Sequence, residues 1–293
     1  MRTDKNAEPD PVYIKEKLIK LLDGHKDADL FITQGYICRN AYGEIDNLQR
    51  GGSDYSASLI GAAIGAEEIQ IWTDIDGMHN NDPRIVEKTS PVRHLHFEEA
   101  AELAYFGAKI LHPTCILPAK LNNIPVRLLN TMQPEAPGTM ISNMTEKGKI
   151  KAVAAKDNIT SIKIKSGRML LATGFLRKVF EIFESWKTPI DMIATSEVAI
   201  SLTIDSTCHL EDIKKDLTKY GTIEVEESLS IICIVGDCSI NNSGLAARAL
   251  TALEDIPLHM ISYGASEHSI SLLVKQADKQ KALEALSERL LNK

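Results

Sequence analysis

The sequence is poor in the features that mark membrane-spanning, secreted and disulfide-bonded proteins. No apolar run approaches the roughly 18 residues that a membrane-spanning helix needs, and the polar N-terminus does not resemble a secretory signal. The cysteines are few, odd in number and without a C-x-x-C pair, which is typical of free thiols in a reducing compartment. They are Cys38, Cys115, Cys208, Cys233 and Cys238. We therefore predict a cytoplasmic protein with no membrane partner.

Positive charge is also scarce. The chain has 33 Lys and Arg against 40 Asp and Glu, a net charge of −7, and so lacks the basic excess typical of nucleic-acid-binding proteins. It also lacks a G-x-x-x-x-G-K-[ST] phosphate loop and any cluster of metal-ligand spacing. We expect no nucleic-acid partner and no protein-bound metal. At 293 residues, 44% of them hydrophobic, the chain is long enough for two or three globular domains.

The most informative stretch is a glycine turn that leads into an apolar helix, Leu48–Ile64. Gly51 and Gly52 allow a tight turn, and Ser53 or Asp54 can cap the helix through a side-chain oxygen. Free N–H groups at a helix N-terminus favour an anion, and Arg50 adds a planar fork for a carboxylate or phosphate. The alternative is a structural turn, with Asp54 as a cap only.

Three further segments follow in order: Ile71–Met78, Asn81–Arg84 and Phe97–Pro113. Together with Arg-Gly-Gly-Ser-Asp-Tyr at Arg50–Tyr55, they resemble the aspartate kinases, the amino-acid-kinase-fold enzymes that open the lysine, threonine and methionine pathway. The resemblance, which is strongest to lysine-sensitive members, covers essentially the whole chain.

One family motif, Lys-Phe-Gly-Gly-Thr-Ser, does not occur in the sequence. The opening Met1–Asp4 is similar to a segment that lies inside the kinase domain of the family. The sequence is therefore interpreted as a fragment or as a gene start assigned at an internal methionine. Because the motif carries the family's catalytic lysine, we expect this chain alone to be inactive.

The pattern of elements predicts an α/β fold: the C-terminal part of an amino-acid-kinase (carbamate-kinase-like) domain, followed by two ferredoxin-like βαββαβ ACT domains. Ser196–Leu202 and Ser266–Leu272 mark an internal repeat. The second repeat is one strand short, and Ile150–Ala155 can supply that strand. We therefore predict a kinase domain over 1–143, a first ACT domain over 157–227, and a second formed by 150–156 with 228–293.

Periodicity also predicts the individual elements. In the first domain these are helices at Val12–Leu22, Phe97–Tyr105 and Pro113–Leu121, and strands at Asp29–Gly35, Ile69–Thr73 and Val126–Leu129. In the repeats, helices are predicted at Phe175–Trp186, Leu210–Leu217, Leu245–Leu253 and Lys281–Leu291, with strands at Ile159–Ile164, Ile190–Ala194, Val198–Ile204, Thr222–Glu226, Leu229–Val235, Leu258–Tyr263 and Ile270–Val274.

The resemblance implies transfer of the γ-phosphoryl group of ATP to the side-chain carboxylate of L-aspartate, giving 4-phospho-L-aspartate. Because both reactants are anions, the protein must mainly align them and neutralise charge. Arg50 is expected to bind a carboxylate of aspartate, with Ser53 donating a hydrogen bond beside it. Asp54 is the expected catalytic residue, the acid that holds the family's lysine.

The nucleotide is expected at a second group of residues: Thr73, Asp74, His79, Asp82, Arg84 and Lys109. The alternative for Lys109 is an ordinary solvated lysine. Two residues depart from the family, since His79 replaces a common tyrosine and Gln49 a common glycine. Mg²⁺ is expected to arrive with ATP, held mainly by the phosphates and their waters.

The first ACT domain matches the effector site of lysine-sensitive members at Met169, Gly174, Phe175, Leu176, Asp191, Thr195 and Ser196. The helix start at Gly174 can hold a carboxylate, and Asp191 can pair with an ammonium. The alternative is that Asp191 is an exposed acid at a strand end. Ala172 departs from a serine found in such members. L-lysine is the expected effector, acting as a feedback inhibitor, and the ACT domains are expected to form a homodimer or higher homo-oligomer.

Two other functions remain open. The chain could be a non-catalytic amino-acid-sensing regulatory partner or fragment that keeps the effector site. It could also be another acylphosphate-forming kinase of the same fold, which the pair of ACT modules disfavours.

Overall fold

The computed structural model describes residues 1–49, 51–107, 111–167, 169 and 173–291. The chain forms two compact units. The first contains Met1–Pro83 and Lys88–Lys147, and the second contains Arg84–Glu87 and Gly148–Lys293. The predicted kinase domain included residues 84–87, which the structure groups with the second unit. None of the described helices is long and apolar enough to cross a membrane.

The first unit is a four-stranded mixed sheet with helices and a small hairpin. Its elements are α1 (Pro11–Asp23), β1 (Ile37–Arg39), β2 (Ile45–Asn47), α2 (Gly52–Ile64), β3 (Ile69–Thr73), β4 (His94–His96), α3 (Phe97–Phe106), α4 (Pro113–Leu121), β5 (Val126–Asn130) and β6 (Thr139–Ser142). The sheet order is β3-β5-β6-β4, with β3 parallel to β5, and β1 pairs with β2 in a separate antiparallel hairpin.

Local sequence explains why these elements begin and end where they do. Asp10 caps α1 by accepting a hydrogen bond from the Tyr13 backbone N–H at 3.0 Å, and Pro11 occupies the first turn. A capping box of His96 and Glu99 starts α3. On α2, a Cβ at Gly61 would lie 2.5 Å from Ile69, so glycine allows α2 to pack closely on β3.

The predicted strand at Asp29–Gly35 is wrong. The segment is irregular, no strand in the described ranges pairs with it, and Leu30 and Ile32 are 77% and 91% exposed. The apolar run has strand propensity, but propensity forms no strand without a partner for the backbone hydrogen bonds.

The second unit contains a six-stranded antiparallel sheet of order β11-β12-β10-β7-β9-β8. Its elements are β7 (Ile150–Lys165), α5 (Phe175–Ser185), β8 (Ile193–Thr195), β9 (Ala199–Ile204), α6 (Leu210–Leu217), β10 (Thr222–Gly236), α7 (Leu245–Ala252), β11 (Met260–Ser262), β12 (Ser269–Lys275) and α8 (Lys279–Leu286), after which a π-helical turn spans Ser287–Leu291.

Two long strands are shared between the halves of this sheet. Ile159–Lys165 of β7 pairs with Thr222–Leu229 of β10, whereas Ile150–Lys156 pairs with Ile231–Gly236. The four strands predicted separately in these regions are therefore two continuous strands. The upstream segment Ile150–Ala155 lies beside the second repeat's own β10 segment; the domain limits given above stay a prediction.

Each half of the second unit has its own apolar core. In the first half, Val179 and Phe183 of α5 pack against Ile162, Ile200 and Ile213. In the second half, Leu245 of α7 and Leu283 of α8 pack against Ile232, Leu272 and Val274, with Val86 in the same cluster. Three predicted elements are shorter by two or three residues: β8, β11 and α8, the last giving way to the π-helical turn.

Candidate functional site

The glycine turn borders a cavity of about 380 Å³ in the first unit. Its lining consists of residues from the turn, the first turn of α2 and one neighbouring loop: Tyr36, Gln49, Gly51, Gly52, Ser53 and Asp54. The structure thus brings together Ser53 and Asp54, which the sequence predicted as site residues. Arg50, predicted between Gln49 and Gly51, lies outside the described residues.

The backbone around this cavity adopts unusual conformations. Tyr36, Gln49 and Gly51 have φ values of +72°, +60° and +70°, a region that costs free energy for residues other than glycine. Hydrogen bonds hold it in place: the Tyr36 N–H donates to Ser56 Oγ at 2.9 Å, and the Leu48 N–H donates to the Tyr36 carbonyl at 2.8 Å. Such clustered strain is common where a ligand-binding backbone must be preorganised.

Both glycines of the turn are required by close packing. A Cβ at Gly52 would lie 2.7 Å from the Tyr36 ring, and one at Gly51 would lie 2.7 Å from His112 Cβ. Behind the turn, Cys115 Sγ donates a hydrogen bond to the Gly51 carbonyl at 3.2 Å. Burial, aided by the nearby Asp54 carboxylate, raises the pKa of Cys115 to about 12. This thiol therefore supports the turn as a neutral group.

The expected capping role of Ser53 or Asp54 is wrong. The N-cap of α2 is Gly51, which makes no side-chain cap hydrogen bond, and the two polar residues occupy the first turn of the helix. Because Asp54 is half-buried, desolvation raises the pKa of its carboxyl above the usual value. Asp54 is thus a desolvated acid on the cavity wall.

The predicted nucleotide residues of the first unit follow β3. Thr73 Oγ1 donates to Asp74 Oδ1 at 3.1 Å at the carboxyl end of the strand. Further along, His79 Nδ1 lies 3.0 Å from Thr89 Oγ1, and the Asp82 N–H donates to Asn81 Oδ1 at 2.8 Å. The structure therefore places four predicted residues, Thr73, Asp74, His79 and Asp82, on one loop; Lys109 lies outside the described residues.

The base of this loop is closed by residues that sequence reasoning missed. Arg93 contacts both carboxylate oxygens of Asp76 at 3.0 Å, and Asp76 also accepts the Gly138 N–H at 3.1 Å. The buried Thr139 hydroxyl accepts the Met78 N–H and donates to the Val92 carbonyl. The Arg93 guanidinium holds the pKa of the Asp76 carboxyl below its usual value. In the sequence, Asp76-Gly77 indicates only a turn. The partners of Asp76, which are Arg93 and Gly138, lie 17 and 62 residues further along the chain and gave no local signal.

Arg84 differs from the other predicted nucleotide residues. Arg84–Glu87 belongs to the second unit. There Val86 is buried in the core that β10, β12 and α8 share, and Ile85 packs against it. The sequence prediction placed Arg84 with the loop of the first unit. Ile85 and Val86, a short apolar pair between polar residues, did not indicate that this segment packs in the core of the second unit.

The predicted effector residues lie in the first half of the second unit. Gly174, with φ +79°, is the N-cap of α5. Phe175 and Met169 pack in the same apolar cluster, whereas Leu176 is exposed. Asp191, Thr195 and Ser196 flank or end β8.

Asp191 is not the exposed strand-end acid considered as an alternative. Its side chain is only 1% exposed, and its Oδ1 accepts a hydrogen bond from Lys156 Nζ at 2.9 Å. Lys156 also contacts Asp205 Oδ2 at 2.9 Å. Neither partner was predicted, because Lys156 is 35 residues away in sequence and lies within a strand whose pattern indicated only sheet pairing.

Comparison with known proteins agrees with this architecture. The amino acid kinase family matches residues 2–130, and the ACT domain matches residues 232–290. The chain thus combines amino-acid-kinase and ACT regions, and the predicted fold class is confirmed.

The lysine-sensitive aspartokinase 3 of Escherichia coli K12 is 35% identical over 302 residues, which cover 99% of this chain and 67% of that protein. Aspartokinase 1, chloroplastic, of Arabidopsis thaliana is 40% identical over 278 residues, covering 90% of this chain and 49% of that protein. The chain belongs to the aspartokinase family, and it spans about two thirds of the first relative and about half of the second.

Solved structures give the same result. E. coli aspartokinase III in complex with aspartate and ADP (R-state) matches with a TM-score of 0.87 and 36% identity, over 99% of this chain and 68% of that one. The same protein in complex with lysine and aspartate (T-state) matches with a TM-score of 0.82 and 37% identity, over 99% and 67%.

Proposed function

We propose that this chain supplies the aspartate site of an aspartate kinase, which transfers the γ-phosphoryl group of ATP to the side-chain carboxylate of L-aspartate and forms 4-phospho-L-aspartate. The observation that carries the proposal is the cavity at the glycine turn. Its preorganised backbone meets the positive end of α2, which favours an anionic ligand. The relative that is bound to aspartate and ADP supports the choice of ligand.

The proposal gives a role to Ser53 and Asp54 of the cavity lining and to Arg50, their neighbour in sequence. Ser53 donates a hydrogen bond to a carboxylate of aspartate, and Arg50 neutralises it. Asp54 holds a cationic group, such as the catalytic lysine of the family, and its desolvated carboxylate strengthens that ion pair. No base is needed, because the attacking carboxylate is already ionised at neutral pH.

We propose that ATP binds at the loop after β3, through Thr73, Asp74, His79 and Asp82, with Arg84 and Lys109 as further phosphate contacts. The described residues include no group of three or more His, Cys, Asp or Glu side chains that could hold a metal ion. Mg²⁺ would therefore be held mainly by the phosphates of ATP.

We further propose that L-lysine is the feedback effector, bound at the start of α5 and near Asp191, so that the chain takes part in lysine biosynthesis. The relative described as lysine-sensitive supports this choice. Lysine would inhibit by stabilising one arrangement of the protein over another. A homo-oligomer formed through the ACT region and a cytoplasmic location stay predictions.

The kinase proposal is tested by trapping the acyl phosphate with hydroxylamine, using Mg-ATP and L-aspartate. The 293-residue chain is assayed alone and mixed with a polypeptide that carries the Lys-Phe-Gly-Gly-Thr-Ser motif. Hydroxamate formed in the mixture and lost on Asp54→Asn supports the enzyme. Lysine binding without hydroxamate in either sample supports the second candidate, an amino-acid-sensing partner.

A further inference from the structure

The Asp191 carboxylate already has a cation beside it. Lys156 reaches from β7 and places its ammonium 2.9 Å from Asp191 Oδ1 and 2.9 Å from Asp205 Oδ2. Asp191 is the residue to which the proposed function assigns the ammonium of the effector. A side chain of the protein therefore occupies the place of the ligand group.

The exposed fractions of the three side chains show how accessible the ion-pair cluster is to a ligand. The Asp191 side chain is 1% exposed, Lys156 is 19% exposed and Asp205 is 38% exposed. A ligand ammonium cannot reach Asp191 Oδ1 while the Lys156 ammonium occupies the position beside it. Asp205 is the more accessible acid, and it can keep Lys156 paired if the contact to Asp191 is broken.

Charge determines which ligands can make the exchange. The side chain of L-lysine carries the same primary ammonium as Lys156 on a stem of the same length. Exchange of one ammonium for the other conserves the hydrogen bond to Asp191 Oδ1, whereas a neutral side chain has no ammonium to offer and leaves Lys156 in place.

We propose that Lys156 is an internal competitor of the effector. Its ammonium must leave Asp191 before the side-chain ammonium of L-lysine can bind there, and this competition weakens the affinity for lysine. The proposal rests on the proposed effector site and adds a residue that sets its affinity for lysine. In this role Lys156 is a positioning residue that acts through Asp191.

The next residue along β7 offers a matched control. Asp157 Oδ2 accepts a hydrogen bond from Lys279 Nζ at 2.6 Å, and Asp157 Oδ1 accepts one from Ser230 Oγ at 2.7 Å. Lys279 and Asp157 are 20% and 32% exposed, similar to the Lys156 pairs. Lys279→Met removes the same charge from a comparable ion pair in the same unit, but it leaves Asp191 and Lys156 in contact.

The test is calorimetric titration of the 293-residue chain at pH 8 with L-lysine and with L-norleucine, which lacks the side-chain ammonium. Lys156→Met is expected to bind L-lysine about fivefold more tightly than the wild type, the scale on which one partly exposed ion pair changes an equilibrium. Its affinity for L-norleucine is expected to stay unchanged. Lys156→Gln, which keeps a hydrogen-bond donor, is expected to give a smaller increase and carries the test alone if Lys156→Met does not fold.

The outcomes separate this proposal from the effector assignment. If the wild type binds L-lysine, Asp191→Asn abolishes that binding and the Lys156 variants bind no more tightly, then Lys156 is not a competitor. The effector site itself is still supported by that result. The role of Lys156 is also contradicted if Lys156→Met binds L-lysine and L-norleucine more tightly by the same factor. It is contradicted as well if Lys279→Met tightens L-lysine binding as much as Lys156→Met does. Absence of lysine binding in every variant contradicts both proposals.

Discussion

The Arg93 guanidinium contacts both oxygens of the Asp76 carboxylate and thereby joins the two ends of the loop that follows β3. Asp76 stands three residues after the end of β3, and Arg93 stands directly before β4. Of the proposed nucleotide residues, Thr73 and Asp74 lie directly before Asp76, whereas His79 and Asp82 lie in the loop between Asp76 and Arg93. The ion pair therefore fixes the backbone in the middle of these residues.

We expect Asp76→Asn to lower the free energy of unfolding by about 1–2 kcal/mol, the value for charge-assisted hydrogen bonds reduced by the partial exposure of Arg93. Binding of Mg-ATP should weaken at the same time, because the loop loses its closure. Denaturant unfolding and calorimetry measure the two effects. Glu68→Gln is the matched control, since it breaks a similar pair with Arg127 between β3 and β5; equal weakening of ATP binding in that variant would contradict the role of the loop.

The same ion pair predicts a dependence of stability on pH. Arg93 holds the pKa of the Asp76 carboxyl below its ordinary value of 3.8, so the folded state favours the ionised form. The stabilisation is complete above pH 3.8 and is lost as the pH falls through the lower, folded-state pKa. The stability difference between wild type and Asp76→Asn should therefore shrink on acidification below about pH 4, and a difference that grows there would contradict the assignment.

Asp54 should behave in the opposite way. Burial raises the pKa of its carboxyl, so the ionised form costs stability as the pH rises from 3.8 through the folded-state pKa. We expect Asp54→Asn to gain stability relative to the wild type over that window and to keep the gain at pH 7. Urea unfolding between pH 3.5 and 8 measures it, with the non-titrating Ser53→Ala as control. A difference that does not change with pH would show that the carboxylate is not desolvated.

Gly52→Ala should fill space that the Tyr36 ring and Leu48 already occupy, at 2.7 and 3.1 Å. The overpacking is expected to cost about 1–3 kcal/mol and to distort the wall of the cavity. Thermal unfolding measures the loss. Gly24→Ala is the control, because its Cβ would meet only two carbonyl oxygens, at 3.4 and 3.6 Å; an equal loss in both variants would show that the Tyr36 contact does not matter.

Thiol chemistry offers an independent check of the turn. Cys208 is exposed, and the other cysteines are buried. With the pKa of Cys115 raised to about 12, we expect one thiol of the native chain to react at pH 8 and all five cysteines to react after unfolding. Cys208→Ser should abolish the native reaction. Rapid labelling of Cys115 in the folded chain, located by mass spectrometry, would contradict the packing behind Gly51.

Helices with local start signals could be predicted from the sequence. Pro113–Leu121 forms α4 with the predicted bounds, and α3 extends only one residue beyond the prediction. Their start signals, Pro113 for α4 and the His96 and Glu99 capping box for α3, are local, so no distant partner is needed to recognise them. The strand predicted at Asp29–Gly35 failed for the converse reason, since an apolar run does not reveal whether another strand will pair with it.

The continuity of β7 and β10 was hidden by polar residues in the middle of each strand. Asn158 and Ser228 have φ values of +60° and +59°, and the pairing shifts register between Glu226 and Ile231. Such bulges resemble breaks in a sequence, although the backbone continues through them.

The candidate site also combines residues that could be predicted from the sequence with residues that could not. The glycine turn and its acid are contiguous in sequence, so the cavity at Gly51–Asp54 could be predicted. The partners that tune it are distant: Tyr36 and Cys115 shape the turn, and Lys156 neutralises Asp191. Only the folded chain brings these residues together.

The central claim is that the cavity at Gly51–Asp54 binds L-aspartate through its side-chain carboxylate. Calorimetric titration of the 293-residue chain with L-aspartate and with L-asparagine, which differs only in having a neutral amide, tests it most directly. We expect binding of L-aspartate that Gly52→Ala removes, and much weaker binding of L-asparagine. No binding of L-aspartate, or equal binding of the two amino acids, would contradict it.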